Sequence, residues 1–550
     1  MANKFFTLVL HTHLPYVINH GNWPHGMDWL YEAAAESYLP LLDVFYRLSQ
    51  EGYEPSVSIS FTPVLSDQLA SQSFKNGFKK YLLMKIEAAE KDRFYFEKSG
   101  QRELAHLAVF WSHWYEKQFE AFVYRWQEDL IAAFRQLQNE GKIEILTSAA
   151  THAYLPLLSQ DSSLRLQMRV GKVVYEHYFE RSPKGFWLPE CAYRPGYLWS
   201  KPVGNSSPMW RPAIDVILKE IGFNYFLVDL PLLRASEVKG VYFDRFPALK
   251  KLWEKSFNHR RTGKKIELSP YFPYFSEPSG LAFFARDDRT GHQVWSSSSG
   301  YPGDGWYLEF HKKNFPGGLR YWRVTANNLD LGEKEIYQPD KAKLRLESQA
   351  THFVSLLFDI LKETEEGVIA SFYDTELFGH WWFEGPEWLY FVIKNLASSP
   401  IQLEKTSACL EKIKPKLSIS LPEGSWGSGG FHWLWLNEDT VWIWEKIYWL
   451  EEETLKLKRK QLKAEPRLWV QLFREKLLLE SSDWPFLIST WTARDYAENR
   501  AALHYERART LINWIKRDSE LSLDESKLLT CWENEDGLFS KLSMEIDLYD

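Results

Sequence analysis

The chain of 550 residues is long enough for a large hydrophobic core, and its length predicts roughly two to four domains or one large barrel with attachments. The formal net charge of −7 disfavours a nucleic-acid-binding protein, because such proteins need excess basic residues to neutralise phosphates. No apolar run of about 18 residues occurs, so no membrane-spanning segment is predicted. Aromatic residues make up 16% of the chain, with 26 tryptophans, which indicates a neutral ligand.

The three cysteines, Cys191, Cys409 and Cys531, are far apart in the sequence and odd in number. They form no CxxC pair, so neither a disulfide framework nor a thiolate zinc site is predicted. A reducing, cytoplasmic location is the simplest prediction. The apolar run 5–10 is too short for a signal peptide and lacks a small-residue cleavage site, so it is interpreted as a buried first strand.

Short apolar runs alternate with helical patterns over about the first 400 residues. The runs that predict strands are 5–10, 57–61, 142–147, 185–189, 225–229 and 367–373. The patterns that predict helices between them are 38–51, 163–179 and 210–221. Strands that alternate with helices pair in parallel, so this part is predicted to be an α/β fold, either open or closed.

Other segments are predicted to be almost entirely helical. Residues 77–140 carry tryptophans near helical spacing and interrupt the α/β pattern, which indicates a helical insertion. Towards the C-terminus the strand patterns end, and residues 437–463, 466–480 and 492–517 predict a helical domain. Residues 241–267 are polar and basic, and they are interpreted either as a solvated surface loop or as a loop over an active site.

Charged and polar residues stand where several predicted strands end. His11 and His13 close the first strand, Glu190 the fourth and Asp374 the last. Functional groups of α/β barrels and sheets gather at these carboxyl ends. Two carboxylates flanked by tryptophans indicate glycoside chemistry, with one nucleophile and one acid/base. The histidines leave two hypotheses open. In the first, they and a carboxylate bind a divalent cation. In the second, no cation is bound, and the histidines hydrogen-bond sugar hydroxyls or orient a carboxylate.

Tryptophans also separate into two predicted groups. Trp426 lies in the glycine-rich segment 424–430, where no helix buries it, so it is predicted to stack on the apolar face of a sugar. Trp442 to Trp449 recur at helical spacing and are predicted to pack in the core.

Several segments carry a resemblance to a known family. They are residues 10–16 (LHTHLPY), 143–148 (IEILTS), 186–193 (FWLPECAY), 293–295 (QVW), 300–304 (GYPGD), 373–382 (YDTELFGHWW), 424–427 (GSWG) and 481–484 (SSDW). In these segments, which span almost the whole chain in the family's order, the sequence resembles glycoside hydrolase family 57, most closely its 1,4-α-glucan (glycogen) branching enzymes.

The resemblance implies an α/β fold with a distorted (β/α)7 barrel over residues 1–405, a helical insertion over 77–140 and an all-helical domain over 406–550 that completes the substrate groove. It also implies a retaining glucosyltransferase acting on α-1,4-glucan such as amylose or glycogen. Such an enzyme re-attaches the cleaved chain through an α-1,6 bond, via a covalent glucosyl-enzyme. No metal or other cofactor is expected.

By the same resemblance, Glu190 is expected to be the nucleophile and Asp374 the general acid/base. Substrate binding is expected of His11, His13, Trp295, Asp304, His380, Trp381, Trp426, Trp435 and Asp483. The region 230–275 departs from the family pattern, and Tyr242 is a candidate there for a tyrosine that favours transfer over hydrolysis. An α-amylase or 4-α-glucanotransferase, and a low-activity glucan-binding protein, therefore stay open as alternatives.

Overall fold

The computed structural model describes residues 3–234, 246–257, 268–296, 298–457, 464–546 and 549. Tyr242 and the greater part of the basic stretch 241–267 lie outside these residues. The described strands are β1 (Asn3–Thr12), β2 (Ser58–Phe61), β3 (Glu144–Ser148), β4 (Gly185–Trp187), β5 (Tyr197–Trp199), β6 (Met209–Arg211), β7 (Tyr225–Val228), β8 (Tyr274–Ser276), β9 (Ala282–Ala285), β10 (Glu366–Asp374), β11 (Gln402–Leu403) and β12 (Ser418–Ile419).

Parallel strands form the centre of the fold, in the order β10-β1-β2-β3-β4-β7-β9. The sheet curves until its two ends meet. At the junction, the amide of Asp287, just after β9, donates a hydrogen bond of 2.8 Å to the carbonyl of Ala370 in β10. Beyond β9 the sheet continues into the antiparallel β8 and then β12. The predicted α/β class with a distorted, barrel-like parallel sheet is therefore confirmed.

Helices cover the sheet and build the C-terminal part. Those before residue 400 are α1 (Met27–Ala33), α2 (Leu39–Gln50), α3 (Pro63–Ala70), α4 (Gln72–Lys98), α5 (Arg102–Glu120), α6 (Leu130–Asn139), α7 (Asp161–Phe179), α8 (Ile214–Ile221), α9 (Leu230–Leu233), α10 (Pro247–Phe257), α11 (Asp288–Trp295), α12 (Pro339–Leu361) and α13 (Gly385–Leu396). Those after it are α14 (Thr406–Lys412), α15 (Val441–Lys456), α16 (Pro466–Leu479), α17 (Asp483–Ser489), α18 (Arg494–Arg517), α19 (Leu523–Glu535) and α20 (Leu542–Ile546). Among the described residues, none of these helices has the length and apolar character needed to cross a membrane.

The structure differs from the sequence-based expectation at two places. Residues 210–221 were expected to be helical, but β6 pairs with β5 in an antiparallel hairpin and the helix begins only at Ile214. The basic stretch 241–267, expected to be a loop, contains helix α10, whose Leu249 and Leu252 are buried. Trp253 of this helix packs edge-on against Phe431, which follows the segment that carries Trp426.

The two helical regions lie close to where they are predicted. Helices α4 to α6 fill the predicted insertion 77–140, although α4 begins earlier, at Gln72. Trp111 in this region and Trp444 in α15 are fully buried, as core packing requires. The domain boundaries at 405 and 406 stay a prediction.

Candidate active site

A cavity of about 880 Å³ opens at the carboxyl ends of the parallel strands, where the barrel meets the helical domain. Most of the predicted site residues line it: His11, His13, Glu190, Trp295, Asp374, Trp381, Trp426, Trp435 and Asp483. Parallel strands end at the same edge, so β1, β4 and β10 bring His11, Glu190 and Asp374 together. Trp435 borders the cavity with its ring fully buried, and it stacks on Tyr154 at a centroid distance of 4.4 Å.

Asp304 and His380 differ from this group, because neither side chain lines the cavity. Asp304 accepts hydrogen bonds from Arg345 at 2.6 Å and from Gln349 at 2.9 Å. The Nδ1 atom of His380 lies 3.5 Å from a carboxylate oxygen of Glu36. Both side chains thus face protein groups, contrary to the expected position, and a contact of either with a glucan stays a prediction.

Glu190 is held in an unusual backbone conformation by the short turn Pro189–Cys191 that follows β4. Its φ of 60° is left-handed, and so is the φ of 47° at Cys191. Such angles cost energy in residues other than glycine and persist only where the surroundings enforce them. The side chain is fixed as well, because Trp426 donates from Nε1 to Oε2 at 2.8 Å and Ser482 donates from its hydroxyl to Oε1 at 2.9 Å.

The two candidate catalytic carboxyls differ in the groups that surround them. Burial raises the pKa of Glu190 to about 7, although the hydrogen bonds from Trp426 and Ser482 oppose the rise. Burial and the negative charges of Glu376 and Glu190 raise the pKa of Asp374 well above its usual value. Glu190 therefore has two donors ready for its ionised form, whereas burial and the charges around Asp374 favour its protonated form. This is the division of roles that a nucleophile and a proton donor require.

Three histidines form a stack beside these carboxyls. The rings of His13 and His152 lie 4.0 Å apart, and those of His11 and His152 lie 4.9 Å apart. Burial lowers the pKa of His11 and His152 well below the usual value. Burial also lowers the pKa of His13, but the adjacent Asp483, 3.0 Å from its Nε2, raises it overall. Only His13 in the stack is thus favoured to carry a charge near neutral pH.

Comparison with known proteins places this arrangement in a family. The model of glycosyl hydrolase family 57 matches residues 7–422, and the model of the 1,4-alpha-glucan branching enzyme C-terminal region matches residues 446–546. The chain belongs to glycosyl hydrolase family 57. The predicted resemblance is thereby confirmed.

Several relatives align with this family 57 chain over nearly its whole length. It is 41% identical to a 1,4-alpha-glucan branching enzyme of Thermococcus kodakarensis, over 97% of this chain and 77% of that protein. The crystal structure of a GH57-type branching enzyme from Pyrococcus horikoshii superposes with a TM-score of 0.87 at 39% identity, covering 99% of this chain and 97% of that one. An α-amylase from Thermotoga maritima superposes with a TM-score of 0.80 at 27% identity, covering 99% of each chain.

Several groups of this family 57 site were not assigned from the sequence. Trp29, Arg286 and Phe486 were not singled out, and His152, Asp229 and Glu376, which stand at or after predicted strand ends, were given no role; all six line the cavity. Arg286 donates to Asp229 at 2.8 Å, and its guanidinium lies 5.5 Å from the ring centroid of Trp426. A signal was present for Arg286, because it directly follows the apolar run 281–285, which contains the unpredicted strand β9.

The metal hypothesis concerns one cluster of the family 57 site. One ligand atom each of His13, His152 and Asp483 lies within 4.8 Å of the others, which is close enough to surround an ion. Both histidines already form hydrogen bonds within the protein. The Nε2 atom of His13 pairs with Asp483, and the Nδ1 atom of His152 pairs with Ser482 at 2.8 Å. These contacts satisfy the groups without an ion, and a metal-independent reaction stays a prediction.

Proposed function

We propose that this chain is a retaining 1,4-α-glucan branching enzyme. The observation that carries the proposal is that Glu190 and Asp374, each in different electrostatic surroundings, line one cavity that the helical domain helps to form. Within that domain, residues 446–546 match the model of the branching enzyme C-terminal region. Amylose and glycogen are the proposed substrates, and the cytoplasm is the proposed compartment.

The reaction proceeds in two displacements. Glu190 attacks the anomeric carbon of an α-1,4-linked glucose while Asp374 gives its proton to the departing glycosidic oxygen, so that bond breaks and a glucosyl ester forms. Asp374 then takes the proton of the 6-hydroxyl of an acceptor glucan. That oxygen attacks the anomeric carbon of the glucosyl ester, so the bond from this carbon to the Glu190 oxygen breaks and the α-1,6 bond forms. Configuration at the anomeric carbon is retained because it inverts twice.

Aromatic rings around the carboxyls give the cavity a glucan-binding surface. Trp295 and Trp381 lie 6.3 Å apart by ring centroid, and Trp381 is 38% exposed. Trp426 reaches the cavity while its indole nitrogen holds Glu190. Each ring covers the apolar face of one sugar, and several such contacts hold a chain whose groups are uncharged.

An α-amylase is the second candidate, and it is less favoured, because the Thermotoga maritima α-amylase is 27% identical to this chain and the two branching enzymes are 39% and 41% identical. Hydrolysis uses the same carboxyls, because water replaces the 6-hydroxyl in the second displacement. The choice between the two acceptors depends on water exclusion and acceptor binding, not on the carboxyls. Tyr242, the predicted contributor to that choice, lies outside the described residues.

Amylose digestion separates the candidate functions. The purified chain is incubated with amylose, α-1,6 linkages are counted by proton NMR, and reducing ends are assayed in parallel. New branch signals with few reducing ends are expected. Reducing ends alone would indicate an amylase, new α-1,4 chain lengths alone a glucanotransferase, and binding without product a glucan-binding protein. Exhaustive chelation is expected to leave the activity unchanged, and its loss would point to a metal ion.

A further inference from the structure

We propose that Ser482 is a positioning residue whose hydroxyl is aimed at Glu190 by a chain of hydrogen bonds beginning at Ser60 of the barrel. The proposal rests on the proposed function, since it gives the Glu190 nucleophile its orientation. The chain runs from Ser60 Oγ to His11 Nδ1 (2.6 Å), from His11 Nε2 to His152 Nε2 (3.0 Å), from His152 Nδ1 to Ser482 Oγ (2.8 Å) and on to Glu190 Oε1 (2.9 Å). All five residues are buried.

The direction of the chain follows from the chemistry of its last member. An ionised carboxylate can only accept hydrogen bonds, so the Ser482 hydroxyl must donate its one hydrogen to Glu190. Ser482 then accepts from His152, which places the proton of that ring on Nδ1. Since burial keeps His152 neutral, its Nε2 atom is an acceptor.

The remaining two links are fixed in the same way. The acceptor at Nε2 of His152 requires His11 to donate from its own Nε2. Burial keeps His11 neutral as well, so its Nδ1 accepts the hydrogen of Ser60. Every hydrogen in the chain therefore points towards Glu190, and the tautomers of both histidines are determined.

The backbone around Ser482 is anchored independently of its hydroxyl. The amide of Ser482 donates to the carbonyl of His152 at 3.0 Å, and Ser481 forms a β-bridge with Ala153. The hydroxyl of Thr151 donates to the carbonyl of Leu477. The barrel and the helical domain thus meet at the point where the series of hydrogen bonds passes from one to the other. Because these contacts do not use the Ser482 hydroxyl, a side-chain substitution at Ser482 leaves them in place.

The consequence is a carboxylate held at both oxygens by different parts of the chain. Ser482 donates to Oε1 and Trp426 to Oε2. Two donors restrict rotation of the carboxylate plane, and they favour the ionised form that attacks. The charged and titratable groups that line the cavity with Glu190 are His11, His13, His152, Asp229, Arg286, Asp288, His292, Asp374, Glu376 and Asp483, and Tyr154 and Cys191 also interact with its charge.

The test is the pH dependence of amylose cleavage by Ser482→Ala. Loss of a donor to the ionised form raises the pKa of Glu190, so the acid limb of kcat/KM is expected to move up by about one pH unit, with a lower kcat. Loss of amylose–iodine colour measures cleavage by transfer and by hydrolysis alike. The matched control is Ser148→Ala, because Ser148 is also buried at a strand end but donates to the carbonyl of Trp187. Its acid limb is expected to stay in place.

Ser60→Ala tests the series of hydrogen bonds at the end that is farthest from Glu190, and Ser60 is not among the residues that line the cavity. Without the Ser60 hydroxyl the tautomer of His11 is no longer enforced, so a smaller shift in the same direction is expected. An unmoved acid limb in active Ser482→Ala would overturn the proposal, and so would an unmoved limb in Ser60→Ala. If Ser482→Ala does not fold by near-ultraviolet circular dichroism, Ser60→Ala decides alone. A wild-type chain inactive on amylose would contradict the proposed function instead.

Discussion

Glu190 and Asp374 are both carboxyls of one cavity, and their neighbours separate their roles. Glu190 receives two hydrogen bonds, which stabilise its ionised form against the effect of burial. Asp374 stands near the negative charges of Glu376 and Glu190, and Arg286 only partly opposes them. These different surroundings agree with the proposed roles, in which Glu190 is the nucleophile and Asp374 the proton donor.

Replacement of either carboxyl by its amide is expected to lower kcat on amylose strongly. Glu190→Gln cannot form the glucosyl ester, and Asp374→Asn loses proton transfer, which alone contributes roughly 10²–10⁴-fold. Initial rates of branch formation measure the effect. Asp288→Asn is the control, because Asp288 lines the same cavity but is half exposed and lies 4.0 Å from Arg234 in a surface ion pair. Near-normal turnover by Glu190→Gln or Asp374→Asn would refute the assignment.

At the scale of elements, the end of strand β1 is joined to the start of helix α17. His13 follows β1 and Asp483 is the first residue of α17, and their side chains meet at 3.0 Å. Because Asp483 raises the pKa of His13, the pair stabilises the fold while His13 is protonated. The full contribution is present below the unfolded pKa of about 6.5, and it is lost as the pH rises through the higher folded pKa.

Asp483→Asn is expected to reveal this pH window. The substitution keeps the shape of the side chain but removes its charge, so it is expected to cost roughly 1–3 kcal/mol between about pH 4 and 6.5 and less at higher pH. Urea unfolding at several pH values measures the difference. Asp439→Asn, which breaks a surface pair with Arg494, is expected to cost under about 1 kcal/mol throughout. An equal cost of Asp483→Asn at pH 5 and pH 9 would contradict the assigned charge of His13.

The sequence predicted those elements whose patterns are regular. Strands β1 and β10 and helix α7 lie close to their predicted bounds, because their apolar residues recur at the period of the element. Strand β9 was missed although its apolar run 281–285 is as long as the run that predicted β2. The hairpin strand β6 was taken for the start of a helix, since its pairing with β5 depends on a partner and not on local pattern.

Within the site, residue types at strand ends were predictable, and contacts between distant segments were not. Parallel strands end at one edge, so Glu190 and Asp374 were placed together from the sequence. Ser482 contacts Glu190 across 292 positions of sequence, and no local pattern specifies that contact. Asp304 belongs to a matched family segment, but its pairing with Arg345, 41 residues away, lies outside the cavity.

At the scale of the whole molecule, a buried cluster of charges joins the N-terminal loop to the helical domain. Asp536 pairs with Arg507 and accepts from His20 at 2.7 Å, while His504 donates to Glu475 at 2.7 Å. Burial raises the pKa of Asp536, but the hydrogen bond from His20 and nearby positive charges lower it to a net value below the usual one. Asp536 therefore stabilises the fold above its unfolded pKa of about 4 and loses this effect as the pH falls.

Asp536→Asn is expected to destabilise the whole chain by about 3–5 kcal/mol at neutral pH, because it leaves Arg507 buried with less compensation. Scanning calorimetry at pH 7 and pH 3 measures the change, which is expected to shrink at the lower pH because that pH lies below the unfolded pKa of about 4. The matched control is Asp524→Asn, which removes an exposed pair with Lys527. A melting temperature unchanged by Asp536→Asn would show that the cluster does not hold the two parts together.

The insertion of Ser482 and Asp483 beside Glu190 also has a consequence for protein synthesis. Ribosomes build the chain from the N-terminus, so both catalytic carboxyls are translated well before residues 482 and 483. A nascent chain that has folded its barrel still lacks the hydroxyl that orients Glu190 and the anion that charges His13. If Glu190 is the nucleophile, as proposed, a chain that ends before residue 482 is expected to cleave glucan more slowly than the full chain.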